Sequence, residues 1–255
     1  MAYVWVFPHA CAFSLMPHTL SSSRPRPISF SWSGGKDSAL ALFHVLQDPR
    51  YEVVSLHTTF GEETGRVGMH GVRLEVIERQ AAAIGLPLIP LFYPSSGDNA
   101  AFERCMADFY GDCQRQGIRH VAFGDIYLEE LRAYREQLLR PFGVEAVFPL
   151  WGKATDALLR EFLAQGFVTA ICALDLDKLP AQYAGETLSF EMLETFPPDV
   201  DACGEHGEYH TLCLDGPIFK HPCEVLKGDK LLQEYSYRTS DGLEHRKRFL
   251  FHEFL

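Results

Sequence analysis

The stretch Ile28-Ser29-Phe30-Ser31-Trp32-Ser33-Gly34-Gly35-Lys36-Asp37-Ser38 decides how the rest of the chain is read. Residues 28–32 alternate apolar and polar side chains, the period of a strand, whereas Leu40, Leu42, Phe43 and Leu46 fall on one face of a helix. Between them, Gly34 and Gly35 let the backbone turn sharply and approach an anion closely. The first-turn amides of the following helix then point at that anion, together with the positive end of the helix dipole. Ser33 and Ser38 add hydroxyl donors and Lys36 a positive charge, while Asp37 can cap the helix or hold a phosphate-bound magnesium through water. The spacing is neither GxxxxGK followed by Ser or Thr nor GxGxxG, so this phosphate cradle is of a third kind.

The strand-and-helix unit recurs outward from there. Val53-Val54-Ser55-Leu56 reads as a second strand, residues 72–84 as a helix stopped by Gly85 and Pro87, and Leu88-Ile89-Pro90-Leu91-Phe92 as a third strand. A helix over residues 101–115 and a fourth strand at Val121-Ala122-Phe123 follow. Strands alternating with helices across short connections predict parallel βαβ units, hence an α/β fold with a doubly wound parallel sheet. Ligands of such sheets bind beyond the carboxyl ends of the strands, where Ser33-Gly34-Gly35 and Gly124-Asp125 both fall. The alternation continues once, with residues 144–150 extended, 156–165 helical and closed by Gly166, and 167–174 extended. Beyond residue 179 it weakens. Residues 197–230 are rich in Gly, Pro and polar side chains, and 231–255 read as short antiparallel strands around a Ser240-Asp241-Gly242 turn. The expected organisation is an N-terminal extension over 1–27, a nucleotide-type domain over 28–140 and a second, smaller α+β domain over 141–255.

The 255 residues are 47% hydrophobic and 22% charged, enough apolar material for a substantial core and against a disordered or coiled-coil chain. Asp and Glu total 34 against 23 Lys and Arg, and the net charge of -11 counts against binding nucleic acid by bulk electrostatics. Near the N-terminus an apolar stretch is broken by Pro8, His9, Pro17 and His18 and has no basic residue before it. It makes a poor signal peptide and falls short of the roughly 20 consecutive apolar residues of a membrane span. With the linker-like Ser21-Ser22-Ser23-Arg24-Pro25-Arg26-Pro27 it is expected to form a disordered extension. Seven cysteines, an odd number with no CxxC pair, fit reduced thiols in a cytoplasmic protein and support neither a disulfide scaffold nor a zinc ribbon.

Ser33-Gly34-Gly35-Lys36-Asp37-Ser38 after a first strand resembles the PP-loop of the N-type ATP pyrophosphatases, which cleave ATP to AMP and pyrophosphate and share the adenine nucleotide alpha hydrolase-like, HUP-type fold. Gly124-Asp125-Ile126, Phe148-Pro149-Leu150-Trp151, Gly166-Phe167, Cys203-Gly204-Glu205-His206-Gly207-Glu208-Tyr209-His210-Thr211 and Asp215-Gly216-Pro217 narrow the resemblance to the diphthine-ammonia ligase family. It implies that Ser33, Gly34, Gly35, Lys36, Asp37 and Ser38 hold the phosphates of ATP, with Mg2+ near Asp37, and that His57, Thr58 and Thr59 lie near the adenosine. Gly124 and Asp125 would line the same crevice, and residues 204–211 would face the substrate from the second domain. Similar proteins adenylate the carboxylate of diphthine on elongation factor 2, and ammonia then displaces AMP. The implied partners are thus ammonia and a carboxylate acceptor. Val67-Gly68-Met69-His70-Gly71-Val72-Arg73 and Tyr134-Arg135-Glu136 look like the bacterial-type branch, whose hosts lack diphthamide, so the acceptor is left open. The chain departs from many members at Tyr183-Ala184-Gly185-Glu186, where they carry Arg in place of Glu186; that reversal of charge is expected to weaken anion binding there.

Elementary chemistry leads in the same direction. Attack at an α-phosphate expels pyrophosphate, so the site must neutralise a leaving charge by positioning and electrostatics, for which Lys36, Asp37 with magnesium and helix amides are suited. Glu205, Glu208 and His210, at i, i+3 and i+5 in a Gly-broken segment, are further catalytic candidates that can deprotonate ammonium, bind magnesium or orient a substrate; the alternative is that they hold the loop together. His206 and His210 lack a third nearby ligand of the zinc type. Glu129, Glu130, Arg132 and Arg135 read as a solvated helix face with ion pairs, the alternative being a substrate-side role given their place after Gly124-Asp125, and Arg246-Lys247-Arg248 as a charged strand edge. A module that binds ATP or AMP without chemistry and a PP-loop tRNA-modifying enzyme are the competing functions, the second disfavoured by the acidic balance and the missing CxxC. A homodimer stays open.

Overall fold

Five parallel strands form the first sheet of the computed structural model, which describes residues 24–94, 99–238 and 244–255. They are β1 (Arg26–Ser31), β2 (Tyr51–Gly61), β3 (Leu88–Tyr93), β4 (His120–Ala122) and β5 (Glu145–Val147), in the order β3-β2-β1-β4-β5. The chain winds outward from β1 to β3 and then returns to the other side of β1, so the switch point lies between β1 and β4. Four helices make the crossovers: α1 (Lys36–Gln47), α2 (Leu74–Ile84), α3 (Asn99–Arg115) and α4 (Glu129–Leu139). Ile28, Phe30 and Leu56 pack with Leu40, Leu42, Val76 and Ile77 on one face of the sheet. A second cluster gathers Met106, Phe109, Tyr110, Val121 and Phe123. With helices over both faces, the central strand β1 has no solvated side, and even Ser29 is buried. Gly85 ends α2 in the left-handed region, at φ 83°, where a glycine carries no steric penalty.

The parallel sheet continues past residue 140 through β5, which pairs with β4. It also starts early: Arg26 and Pro27, expected in the linker, belong to β1, with the Arg26 N–H donating to the Arg50 carbonyl at 2.8 Å. The remainder of the expected extension, residues 1–23, lies outside the described residues.

The second sheet is antiparallel and four-stranded, in the order β7-β6-β9-β8, from β6 (Val168–Asp175), β7 (Tyr209–Asp215), β8 (Lys227–Arg238) and β9 (Glu244–Phe254). The helices α5 (Thr155–Ala164) and α6 (Phe190–Leu193) accompany it. Here the structure corrects two readings. Residues 227–238 and 244–254 are long strands rather than short ones, and the Ser240-Asp241-Gly242 turn lies outside the described residues. The segment 197–230 contains a strand, β7, whose mixed side chains hide the period because both of its faces are covered: Tyr209, Thr211, Leu212 and Cys213 are all buried. Leu158, Phe162, Ile171 and Leu212 share one core with Leu40 and Ile77, so the two sheets are joined by apolar burial as well as by chain connectivity.

Among the described residues no helix is long and apolar enough to cross a membrane. The six described cysteines are all free thiols.

Candidate active site

Residues 33–38 sit at the carboxyl end of β1, beside the switch point, and α1 begins at Lys36. Gly34 has φ 83°, a left-handed conformation, and a Cβ there would lie 2.7 Å from Ile77 Cδ1. Gly35 is an N-cap with no side-chain cap hydrogen bond. The Ala39 N–H is the first to return to a preceding carbonyl, that of Gly35, at 3.0 Å; the Asp37 and Ser38 N–H groups have no partner among the described residues. Two amides at the positive end of a helix therefore stay available to an anion. Ser33 is tied in by its hydroxyl, which accepts from the Gly35 N–H at 3.3 Å and donates to Ser38 Oγ at 3.1 Å.

The second sheet completes this loop. Thr211 Oγ1 accepts from the Lys36 N–H at 2.9 Å, and the Cys213 N–H donates to the Gly34 carbonyl at 2.8 Å. Lys36 is buried, and its ammonium donates to Asp37 Oδ2 at 2.8 Å and to the Cys203 carbonyl, 5.0 Å above the Tyr209 ring. Burial opposes that charge, but Asp37, Tyr209 and Cys203 outweigh it and raise the lysine pKa, so Lys36 is a permanent cation. Gln80 does the remaining work of the loop: its Nε2 donates to the Gly34 and Cys213 carbonyls at 3.0 and 2.6 Å, and its Oε1 accepts from Trp32 Nε1 at 3.0 Å. This fully buried amide was not singled out from the sequence; a lone Gln on the apolar face of a helix, among Ile77, Ala81 and Ile84, was the signal.

A cleft of about 440 Å³ opens above the loop. Ser33, Lys36, Asp37 and Ser38 form its floor, Gly124, Asp125 and Arg135 one side, and Glu205, Tyr209, His210 and Thr211 the other. Gly124 allows β4's exit to touch α1, since a Cβ there would meet Ser38 N at 3.0 Å and Asp37 C at 3.1 Å. Asp125 is held by a fork from Arg135, through Nε and, at 3.1 Å, Nη2, so Arg135 belongs to the site rather than to a solvated face. Arg132 does keep the ion pair expected at helical spacing, with Glu136 at 2.9 Å.

Residues 201–208 are a turn organised from within. Asp201 Oδ1 accepts from the Cys203 and Glu205 N–H groups at 2.8 and 3.1 Å. Glu208, 1% exposed, accepts from the Asp201 and His206 N–H groups at 3.1 and 2.9 Å. Glu208 thus holds the loop and does not line the cleft, the alternative role foreseen for it. The Glu205 carboxylate, in contrast, faces the cleft with no hydrogen bond or ion pair among the described residues. Burial, and then the charges of Asp37 and Asp125, push its pKa up to about 7. His210 stands against His70, ring centroids 4.9 Å apart, and its buried Nε2 has no partner among the described residues. Burial first, and then His70 and Lys36, hold the His210 pKa well below the usual histidine value, so the ring is neutral.

His57 and Thr58 do not line the cleft. Strand alternation turns His57 into the core beneath α3, where Nδ1 pairs with Ser29 Oγ at 2.9 Å, the ring lies 4.4 Å from that of Phe109, and burial pushes the pKa down to about 3. Thr58 is buried and donates to the Trp32 carbonyl at 2.6 Å; Thr59 is the member of the trio that reaches the cleft. Glu186 is exposed and outside the cleft, so the charge reversal noted there does not touch the phosphate loop. His70 and Met69, in the segment that resembles the bacterial-type branch, form a wall of the cleft.

The chain matches the model of the diphthamide synthase N-terminal domain over residues 28–146 and that of the diphthamide synthase C-terminal domain over residues 154–248. It is 26% identical over 214 residues to the diphthine--ammonia ligase of Rattus norvegicus, spanning 74% of this chain and 78% of that protein. The Homo sapiens diphthine--ammonia ligase is 25% identical over the same length and shares. The Schizosaccharomyces pombe protein of that name is 27% identical over 224 residues, 80% of this chain and 36% of the relative. Matched by both domains in order, and distantly similar to diphthine--ammonia ligases, the chain belongs to the diphthamide synthase family.

Proposed function

We propose that this protein is an ATP-dependent ligase that forms AMP and pyrophosphate, adenylates a carboxylate and amidates it with ammonia. The observation that carries the reading is the uncapped start of α1 beside Lys36, at the floor of a cleft whose opposite wall presents an unpaired carboxylate, Glu205. The first half fits a polyphosphate. A Cβ at Gly35 would lie 2.7 Å from His70 Cε1 and 3.1 Å from the Thr211 carbonyl, so glycine is what lets His70 and the β7 backbone close against the loop. The Asp37 and Ser38 amides bind phosphate oxygens, and Lys36 offsets the charge that builds up on the departing pyrophosphate.

Magnesium fits only in part. Asp37, 30% exposed, lines the cleft, but among the described residues no three His, Cys, Asp or Glu side chains cluster as a metal site. Asp37 would hold the ion jointly with ATP phosphates, as Mg2+ commonly is held; bound there, it neutralises phosphate charge. On the other wall, Glu205 takes one proton from ammonium. The free ammonia attacks the activated carbonyl carbon, AMP leaves with the electrons of its bond to that carbon, and the nitrogen sheds its second proton to solvent. Neutral His210 orients the nitrogen by accepting a hydrogen bond. The acceptor carboxylate is diphthine of elongation factor 2 where the host makes it, in line with the name of the relatives, or another carboxylate.

Product analysis of ATP and magnesium with the purified protein, with and without ammonium and a cell extract, tests this. AMP and pyrophosphate are the expected products; ADP with phosphate, or intact ATP under every condition, would overturn the reading.

A further inference from the structure

The wall of the cleft that carries Met69 and His70 is built from a turn that is electrostatically unfavourable on its own. An antiparallel bridge sets Arg66 opposite Arg73, and Val67 and Val72 close the turn with a 2.8 Å hydrogen bond from the Val67 N–H to the Val72 carbonyl. Like charges directly opposite each other in such a pairing repel. What joins them is a carboxylate from the far end of the chain. Glu253 of β9, with its side chain 13% exposed, accepts from Arg66 Nη2 and, at 2.9 Å, from Arg73 Nη2. Arg66 uses its other nitrogen, Nη1, to reach the Gly71 carbonyl at 2.7 Å. Gly71 has φ 66°, and a Cβ there would lie 2.5 Å from Cδ1 of Phe251, two residues before Glu253. The same turn then delivers His70 to the phosphate loop. Its Nδ1 pairs with the Thr211 carbonyl at 3.0 Å, and its Cε1 occupies the space above Gly35.

We propose that Glu253 is a positioning residue: by bridging Arg66 and Arg73 it fixes the 66–73 turn, and through it His70, over the phosphate loop, so that the last strand sets nucleotide affinity without touching the nucleotide. Glu253 is absent from the cleft lining, and its influence runs through two guanidinium groups and one turn. The effect on ATP rests on the ATP-dependent reading given above, whereas the effect on the turn does not.

The test pairs hydrogen exchange with kinetics on the full chain. In Glu253→Gln the Val67 and Gly71 amides, each bonded within the turn, should exchange about tenfold faster or more, while amides of β1 and β6 keep their protection. The KM for ATP should rise about fivefold or more with kcat within about twofold, the pattern of lost binding rather than lost chemistry. Arg73→Glu combined with Glu253→Arg should recover part of both effects, and Glu253→Asp, which keeps the charge but shortens its reach, should show a smaller change of the same kind if Glu253→Gln folds poorly. Unchanged exchange in the turn, or an increase spread equally over β1 and β6, would overturn the proposal. If the parent protein handles no ATP, the functional reading fails while the exchange data still decide the role of Glu253.

Discussion

The main-chain N–H of Lys36 donates to the hydroxyl of Thr211 at 2.9 Å, across 175 positions of sequence, joining the first turn of α1 to β7 of the other sheet. The bond is buried, and it occupies one helix-start amide so that the next two face the cleft. Thr211→Val keeps the shape and removes the acceptor. An unsatisfied buried N–H costs about 1–3 kcal/mol, so the melting temperature should fall by roughly 3–10 °C. The KM for ATP should rise at the same time. A variant with unaltered melting and KM would show that the bond is dispensable.

Lys36 is the cation of the cleft floor, and its removal should act on chemistry more than on binding. Lys36→Met, which keeps much of the buried length, is expected to lower the rate of AMP formation by about 10²-fold or more, the scale of losing one electrostatic partner of a developing charge. Asp37→Asn should likewise suppress turnover and raise the magnesium concentration required. Rate assays over a magnesium titration, with circular dichroism to check the fold, read both effects.

Glu205 supplies a pH dependence of definite sign. With its pKa pushed up to about 7, the carboxyl is protonated in acid and becomes a base only as pH rises. Ammonium-dependent kcat/KM should therefore climb through pH 7, and Glu205→Gln should lose that inflection. Stability moves the other way. Between the ordinary carboxylate range and pH 7 the folded protein holds a proton that the unfolded chain has released, so unfolding becomes easier with rising pH. Melting temperatures of the parent should thus fall relative to those of Glu205→Gln between pH 5 and pH 8.

Gly124 touches backbone rather than a flexible side chain, so Gly124→Ala must push the loop after β4 away from Ser38 and Asp37. A shift of a few tenths of an ångström in a phosphate cradle is expected to raise the KM for ATP by about tenfold or more. Isothermal titration with ATP measures it directly; an affinity equal to that of the parent would remove Gly124 from the cradle.

The α/β alternation and the glycine turn between β1 and α1 were legible because both are local. Strand, two glycines and an apolar helical stripe lie within residues 28–46, and their periods report which faces are buried. The helices α2, α3 and α5 come within two residues of their expected limits for the same reason. Elements covered by distant partners were not legible. β7 is buried on one side by the loop at Gly34, and β8 and β9 owe their length to pairing with each other, from Lys227 with Phe254 to Arg238 with Glu244. Among the described side chains, Phe249, Phe251 and Phe254 of β9 are buried whereas residues 227–234 of β8 are not, so the two strands carry no shared apolar alternation.

At the candidate site the division is equally physical. Residue identity and spacing alone determined that a glycine loop stands at a strand-to-helix junction and which charges flank it, because two glycines between a strand period and a helix period form a local pattern. Only the tertiary structure decided that Glu205 faces the cleft while Glu208 holds the loop, that His57 is a core residue, and that Arg135, Gln80 and Glu253 belong to the site or its support. Those roles depend on which side of a strand or turn meets another segment, and on whether burial leaves a polar group paired or free, neither of which the local pattern of a chain contains.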